Sequence, residues 1–492
     1  MAKVIVVGAG IAGIAAAIRL RAGGHTVSVY EANAYPGGKL SDFNEAGFRF
    51  DAGPSLFTMP EFVEELFSLF NEPVAPHFQY EQLDIGCHYF YEDGTQFNAP
   101  TNRAQFAELL EQKLGEDKTA VNAFFKKAAF LYKITAPVFL ENSLHQLSTY
   151  LNLKGIRGIA NLWRINLFST MHQLNSKRFK KAKTIQLFDR FATYNGSNPY
   201  QAPATLNIIP HLEFGLGVFF PKGGMVSITN SLVDLAKRYG VQFFFNQKVE
   251  QILTQGEKVM GVKIGGESIQ ADQVVCNMDV FPAYKYLLPQ IDMPKKVKQV
   301  NSSSSALVFY WGIKKEFQQL GLHNILFSEN YKKEFDAIFK ANTIDSDSTI
   351  YINITSKLNP SDAPVGHENW FLMINVPAND GQDWPSLVAS ARTNIIDKLN
   401  RMLKTDLSDL IVYEKVLDPI LIEQKTSSYR GALYGSSSND RMAAFFRHAN
   451  FSSRVEGLFF CGGSVHPGGG IPLCLLSAKI TAQLINKKKG KE

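Results

Sequence analysis

The sequence predicts an α/β protein built on a parallel sheet, and three observations predict it. A strand, a glycine turn, a helix and a second strand fill residues 3–31; glycine pairs or triplets return at 37–38 and 462–470; and β-branched runs alternate with helical stretches down the chain. In the first unit, Lys3-Val4-Ile5-Val6-Val7 is an apolar strand that runs into Gly8-Ala9-Gly10-Ile11-Ala12-Gly13. An Ala-rich helix follows, then Thr26-Val27-Ser28-Val29-Tyr30 and Glu31. Gly8 permits the tight turn, Gly10 lets backbone approach a pyrophosphate, and Gly13 lets helix and strand pack closely. The helix N-terminus offers free N–H groups and partial positive charge to phosphates. Glu31 stands where a carboxylate accepts a hydrogen bond from a ribose hydroxyl. Strand before, helix after and acid at that distance make this a dinucleotide site rather than a chance glycine turn.

The chain continues in the same sense. Pro36-Gly37-Gly38-Lys39 lets a loop lie flat against a ligand, with Lys39 able to reach a phosphate or carbonyl. A nicotinamide site has no need of it, whereas a flavin held along its whole length does. Phe48 to Leu56 reads as a strand end and tight loop, and Pro60 opens a helix over Glu61–Phe70. Residues 78–100 alternate as short strands around a turn at Asp93-Gly94. From Arg103 to about Arg190 the pattern is helical and apolar: Leu151, Leu153, Ile156, Ile159, Leu162, Trp163, Ile165, Leu167 and Phe168, with Lys154, Arg157 and Arg164 between them. A basic cluster, Lys177-Arg178-Phe179-Lys180-Lys181-Ala182-Lys183, ends it. Apolar and basic residues together suit the interface of an anionic membrane; a helical domain with a solvated basic face is the alternative.

Val226–Tyr239 is predicted helical, and Val241 to Ile252 is predicted as one continuous strand. A hairpin at Gln255-Gly256 leads to Val259–Ile264, and Gln273–Cys276 ends at Asn277-Met278-Asp279. Ala306–Trp311, Thr349–Ile354 and Trp370–Val376 are strands of a second sheet, a wall for a greasy ligand or an ordinary core, with a helix over Ser386–Leu403. Gly457–Cys461 is a last strand, and His466-Pro467-Gly468-Gly469-Gly470-Ile471-Pro472 opens a final helix, Pro472 falling in the first turn where its missing N–H costs little.

Composition adds bounds. The 492 residues can bury a large core, and 51 basic against 45 acidic residues leave a net charge of +6. That balance tolerates an anionic membrane and is too weak to argue for nucleic acid. Four scattered cysteines indicate neither a disulfide framework nor a metal site, and a reducing compartment is expected. The N-terminus has the outline of a signal peptide, but cleavage would destroy the glycine turn. No stretch reaches the roughly 18 to 20 apolar residues of a membrane span.

Three glycine sites in this order resemble the flavin amine oxidase and phytoene desaturase superfamily. Leu458 to Pro472, Asp51-Ala52-Gly53-Pro54-Ser55 and Phe220-Pro221-Lys222-Gly223-Gly224 are similar to the bacterial carotenoid desaturases, over essentially the whole chain. Arg190-Phe191-Ala192-Thr193-Tyr194-Asn195-Gly196, with Pro199-Tyr200 and Pro203-Ala204, resembles the hydroxycarotenoid 3,4-desaturases of the methoxyneurosporene dehydrogenase type. The resemblance implies a Rossmann-type FAD-binding domain (1–75, 215–285 and 425–492), an interleaved α+β substrate domain (76–102, 201–214 and 286–424) and a helical, membrane-associating insert (103–200).

It also implies roles. Gly8, Gly10, Ala12 and Gly13 would hold the FAD pyrophosphate, Glu31 the adenosine ribose, and Lys39 the flavin side. Ser55 and Leu56 would line the isoalloxazine, the Val249 backbone would read the adenine edge, and Asn277 would sit beside the cofactor at its strand end. Gly463 stands where many members carry an acid for the ribityl chain, leaving backbone N–H instead. Gly470 and Ile471 would present a helix N-terminus to the pyrimidine end, and Leu433 is a further flavin neighbour. A carotenoid would lose a hydride to flavin and a proton to a base, with oxygen or a quinone as final acceptor. The conjugated polyene delocalises developing cation, so no strong catalytic acid is demanded and no catalytic dyad is nominated. Glu213, Asp279, His211 and His466 read as structural or solvated groups. No metal is implied. A cytoplasmic protein held peripherally at the inner membrane is expected. Phytoene desaturase or carotenoid isomerase is the rival within the class, and a non-redox prenyl-protein escort the rival outside it; an amine oxidase is disfavoured for want of an aromatic cage signal.

Overall fold

A computed structural model describes residues 1–146, 149, 166, 168–299, 301–440 and 447–489. Its first sheet is parallel, in the order Leu458–Phe460, Gln273–Cys276, Lys3–Val7 (β1), Thr26–Tyr30 (β2) and Gln242–Phe244. Both faces are covered, which is why the strands are near-continuous runs of valine and isoleucine rather than alternating ones. Between β1 and β2 lies helix Ile11–Ala22 (α1), buried from Ile11 to Leu20. Ala15, Ala16 and Ala17 keep its flanks thin enough to pack among β1, helix Val226–Arg238 and the C-terminal helix Ile471–Lys489. Three distant parts of the chain thus build one sheet and its covering helices.

The continuous strand expected over 241–252 divides in two. Gln242–Phe244 edges the parallel sheet, and Val249–Gln255 opens a separate antiparallel sheet with Lys258–Ile264 and Glu267–Gln270. The break is Asn246, at φ 54°, a left-handed conformation that asparagine tolerates better than most residues. Its N–H reaches the Asn33 carbonyl and that of Gln247 reaches Glu31, so backbone bonds from the first unit turn the chain away.

A seven-stranded sheet runs in the order Ile411–Leu417, Ser305–Ile313, Glu368–Val376, Ile350–Ile354, His323–Leu326, Ile85–Phe90 and Gln96–Pro100. It is antiparallel except where His323–Leu326 meets Ile85–Phe90. Side chains alternate across a strand, so Leu307, Phe309 and Trp311 join Ile395 and Leu399 of helix Trp384–Leu403 on one face. Ala306, Val308 and Tyr310 point to the other, where Phe50 and Phe371 pack.

Helices Arg103–Leu114, Lys118–Phe139, Met171–Arg178 and Ala182–Asp189 gather around a phenylalanine core. The Phe188 ring lies 4.6 Å from Phe124 and 4.7 Å from Phe179. The alternation of apolar and basic residues at 151–165 and 167 lies outside the described residues. Among the described residues no helix is long and apolar enough to cross a membrane. Asn102 caps the first of the four, accepting from Ala104 N at 3.0 Å and Gln105 N at 3.2 Å. Asn102→Ala is expected to cost about 1 kcal/mol, read as a small fall in the thermal unfolding midpoint with the circular dichroism spectrum unchanged.

Candidate functional site

The carboxyl ends of β1 and β2, the 37–40 loop, one face of the seven-stranded sheet and part of helix Lys118–Phe139 enclose a cavity of ≈ 1740 Å³. The mouth at the parallel sheet is the usual ligand position in a sheet of this kind. Gly8, with φ +97°, accepts the strand-to-helix turn, and its N–H bonds the Tyr30 carbonyl at 2.8 Å. A Cβ on Gly10 would stand 2.6 Å from Asn277 Oδ1. Asn277 is held in turn by its Nδ2 donating to the Cys461 carbonyl at 3.0 Å. Gly8, Gly10, Ala12 and Asn277 border the cavity, whereas Gly13 lies behind the turn, where a Cβ would meet the Gly8 carbonyl at 2.2 Å. Its contribution is to let α1 close on β1.

Glu31 ends β2 with its carboxylate buried, accepting from Ala9 N at 2.7 Å and Asn33 N at 2.8 Å. Val249 reaches the same wall from the start of its strand. Lys39 donates to the carbonyls of Leu433 (3.0 Å) and Ala432 (3.3 Å), tying the 37–40 loop to the 431–435 segment. Burial lowers the Lys39 ammonium and Asp279 partly offsets it, while burial raises the Asp279 carboxyl. Ser55, Leu56 and Leu433 border the cavity beyond Lys39. Gly463, Gly470 and Ile471 border it where the C-terminal helix begins. An added Cβ on Gly470 would meet nothing within 4 Å.

Several functional-looking groups escape a reading of the sequence. Arg447, buried, donates to the carbonyls of Tyr434, Gly463 and Ser436 and to Asn195 Oδ1, knitting together the segments around the helix start. Burial pushes its guanidinium down to about 10. Arg190 donates to the hydroxyls of Tyr89 (2.5 Å) and Tyr194 (3.1 Å) and pairs with Glu213 at 3.3 Å. Tyr194 also donates to Glu213. Glu213, read from sequence as structural or solvated, is therefore a buried partner of a buried arginine bordering the cavity. Asp279 is structural: it accepts from Phe281 N at 3.2 Å and Tyr429 N at 3.3 Å. His466 is spent on the Asn142 carbonyl, and the His211 ring packs edge-on against Tyr132. Apart from Arg190 to Tyr194 and Phe281 N to Asp279, these contacts join residues far apart in the chain, so no spacing announces them. Among the described residues no cluster of His, Cys, Asp and Glu is disposed to hold a metal.

Beyond the mouth the lining turns apolar: Val308, Ile325, Phe371 and Met373 from the sheet, Phe139 and Leu140 at the end of helix Lys118–Phe139. The whole exceeds the roughly 300–1,000 Å³ of a small-molecule pocket, leaving room for a nucleotide and a long apolar molecule together.

Comparison with known proteins agrees with this geometry. The chain is 50% identical over 485 residues, 99% of each protein, to the 1-hydroxycarotenoid 3,4-desaturase of Flavobacterium sp. (strain P99-3). It is 31% identical to the phytoene desaturase of Phycomyces blakesleeanus, over 98% of this chain and 85% of that protein. A putrescine oxidase variant shares the fold, with a TM-score of 0.65 at 12% identity over 100% of this chain and 99% of that one. Residues 11–486 match the flavin containing amine oxidoreductases; with a glycine-lined nucleotide mouth opening into an apolar chamber, the chain belongs to that family and takes FAD as its cofactor.

Proposed function

We propose that the chain dehydrogenates a carotenoid, introducing a C3–C4 double bond into a 1-hydroxylated acyclic end. The observation that carries the reading is the continuity of one cavity, glycine-lined at the parallel sheet and hydrocarbon-lined beyond it. The full-length likeness to a protein named for that activity supports the choice of substrate.

The residues present fit FAD. The open space at Gly470 and the backbone exposed along Gly8–Gly10 form a cradle that side chains would fill. Gly8, Gly10 and Ala12 would meet the pyrophosphate at the start of α1, with Gly13 holding the turn. Glu31 has lone pairs left for a ribose hydroxyl after its two backbone bonds. The Val249 backbone would read the adenine edge, and Asn277 and Gly463 would flank the chain between the two rings. Lys39, Ser55, Leu56 and Leu433 would border the isoalloxazine. The N-terminus of helix Ile471–Lys489, from Gly470 and Ile471, would favour negative charge on the pyrimidine end. Bound FAD supplies two-electron acceptor chemistry. The protein aligns the polyene along Val308, Ile325, Phe371 and Met373 and keeps water from the reacting carbons. Oxygen or a quinone takes the electrons onward.

Entry from an anionic membrane, at the inner membrane, completes the proposal. Lys177, Lys180 and Lys181 are exposed and Phe168 is 82% exposed beside the phenylalanine-cored helices, whereas Lys183 is engaged by Asp93. Tyr132, Thr135 and Phe139 bring one of those helices to the cavity wall.

The test is the absorption spectrum of carotenoids after incubation with FAD-loaded protein in liposomes. A red shift with a 1-hydroxylated acyclic carotene and none with phytoene is the expected result. Colour developing from phytoene would transfer the assignment to phytoene desaturation, and no change with either would remove it.

A further inference from the structure

On the wall made by the seven-stranded sheet, polar side chains interrupt the hydrocarbon lining. Ser55 Oγ lies 2.7 Å from the Tyr351 hydroxyl, and that hydroxyl lies 2.8 Å from His323 Nδ1. Asn353 Nδ2, a donor, stands 3.2 Å from the same Nδ1 and 3.1 Å from the Leu322 carbonyl. A ring nitrogen approached by donors carries the lone pair, so the imidazole proton sits on Nε2. Nε2 is buried and has no hydrogen-bond partner among the described residues, although His323 borders the cavity. Burial, and then the charges of Arg190 and His88, lower the ring to about 3, so it stays neutral at physiological pH. A buried donor with no acceptor is costly. Beside Val308, Ile325, Phe371 and Met373, in a chamber whose other polar groups include the mutually paired Arg190, Tyr194 and Glu213, it marks a place for an oxygen atom on the ligand.

We infer that His323, oriented by Tyr351 and Ser55, recognises the hydroxyl of the substrate, its Nε2–H donating to the oxygen at C1. The inference rests on the 3,4-desaturase reading above and adds the residue that sets its specificity. The substrate's chemistry agrees with the position. C1 is two bonds from C3, so whatever reads the hydroxyl must stand beside the reacting carbons. Ser55, at the start of the polar line, is the residue placed next to the isoalloxazine. A carotene without the hydroxyl leaves Nε2 unpaired and is discriminated against by that amount.

The experiment compares a 1-hydroxylated acyclic carotene with the same carotene lacking the hydroxyl. Dissociation constants are read on FAD-loaded protein in detergent micelles by tryptophan fluorescence quenching, and kcat/KM for the hydroxylated compound is measured alongside. The unsubstituted protein is expected to favour the hydroxylated carotene by about tenfold or more. His323→Leu is expected to bring the ratio near one by weakening the hydroxylated ligand alone. His323→Gln, whose amide nitrogen can stand in for Nε2, should retain part of the preference, and Tyr351→Phe should lower it while keeping ring volume. An unchanged ratio in His323→Leu and Tyr351→Phe overturns the inference, as does equal binding of the two carotenes by a protein that still desaturates the hydroxylated one; the desaturase reading survives both. A protein that neither prefers nor desaturates the hydroxylated carotene overturns both. Should His323→Leu lose its circular dichroism spectrum, the ratio in Tyr351→Phe decides.

Discussion

Gly13→Ala is expected to purify without its flavin. The added methyl would lie 2.2 Å from the Gly8 carbonyl and 3.0 Å from Asn277 Oδ1. The first of these is backbone and cannot swing aside, so α1 must withdraw from β1 and drag the turn with it. Overpacking of this kind costs about 1–3 kcal/mol. The loss falls on the segment proposed to meet the pyrophosphate, so FAD affinity is expected to drop about tenfold to a hundredfold. Titration of apoprotein with FAD, followed by flavin fluorescence, measures it, with far-ultraviolet circular dichroism as the check on folding. Affinity equal to that of the unsubstituted protein would mean that the pyrophosphate does not sit on this turn.

Arg190→Met is expected to be the most destabilising single change in the chamber. Its guanidinium is buried and answers Glu213, Tyr89 and Tyr194 at once, with its charge 4.3 Å from the Phe191 ring centroid. Removing it leaves the buried Glu213 carboxylate with Tyr194 alone among these partners, and breaking a buried pair from one side costs about 3–5 kcal/mol. The double variant Arg190→Met with Glu213→Gln removes the stranded charge and should recover at least half of the loss, because the net worth of a buried pair is far below the cost of breaking it. Thermal unfolding midpoints of the two single variants and the double variant form the required cycle. A double variant less stable than Arg190→Met would show that the pair is not the unit of stability.

Much of the fold was legible because its signals are local. β1, the glycine turn, α1 and β2 follow from consecutive residues whose pattern is complete within the segment. The same holds for the strands Ser305–Ile313 and Glu368–Val376, which are long and apolar enough to declare themselves. His323–Leu326 gave no such signal: it is four residues long and begins with a histidine and an asparagine. Their long-range partners lie elsewhere in the chain, Tyr351 for His323 Nδ1 and the Ile352 carbonyl for Asn324, which also bonds Gly321. The break at Asn246 was equally silent, since its cause is a pair of backbone bonds to Asn33 and Glu31.

By itself the sequence pointed to a nucleotide at the end of a parallel sheet, because glycine spacing, helix start and terminal acid act over a few residues and need no other part of the chain. It determined the family through glycine sites spread along the chain. Only the tertiary structure decided that Lys39 is tied to the 431–435 segment, and that Arg190, Glu213, Ser55, Tyr351 and His323 share one chamber. Hydrogen bonds between residues 23 to 296 positions apart depend on which strands become neighbours. Strand order in the seven-stranded sheet is set by burial of whole faces, a quantity that no short stretch of sequence carries.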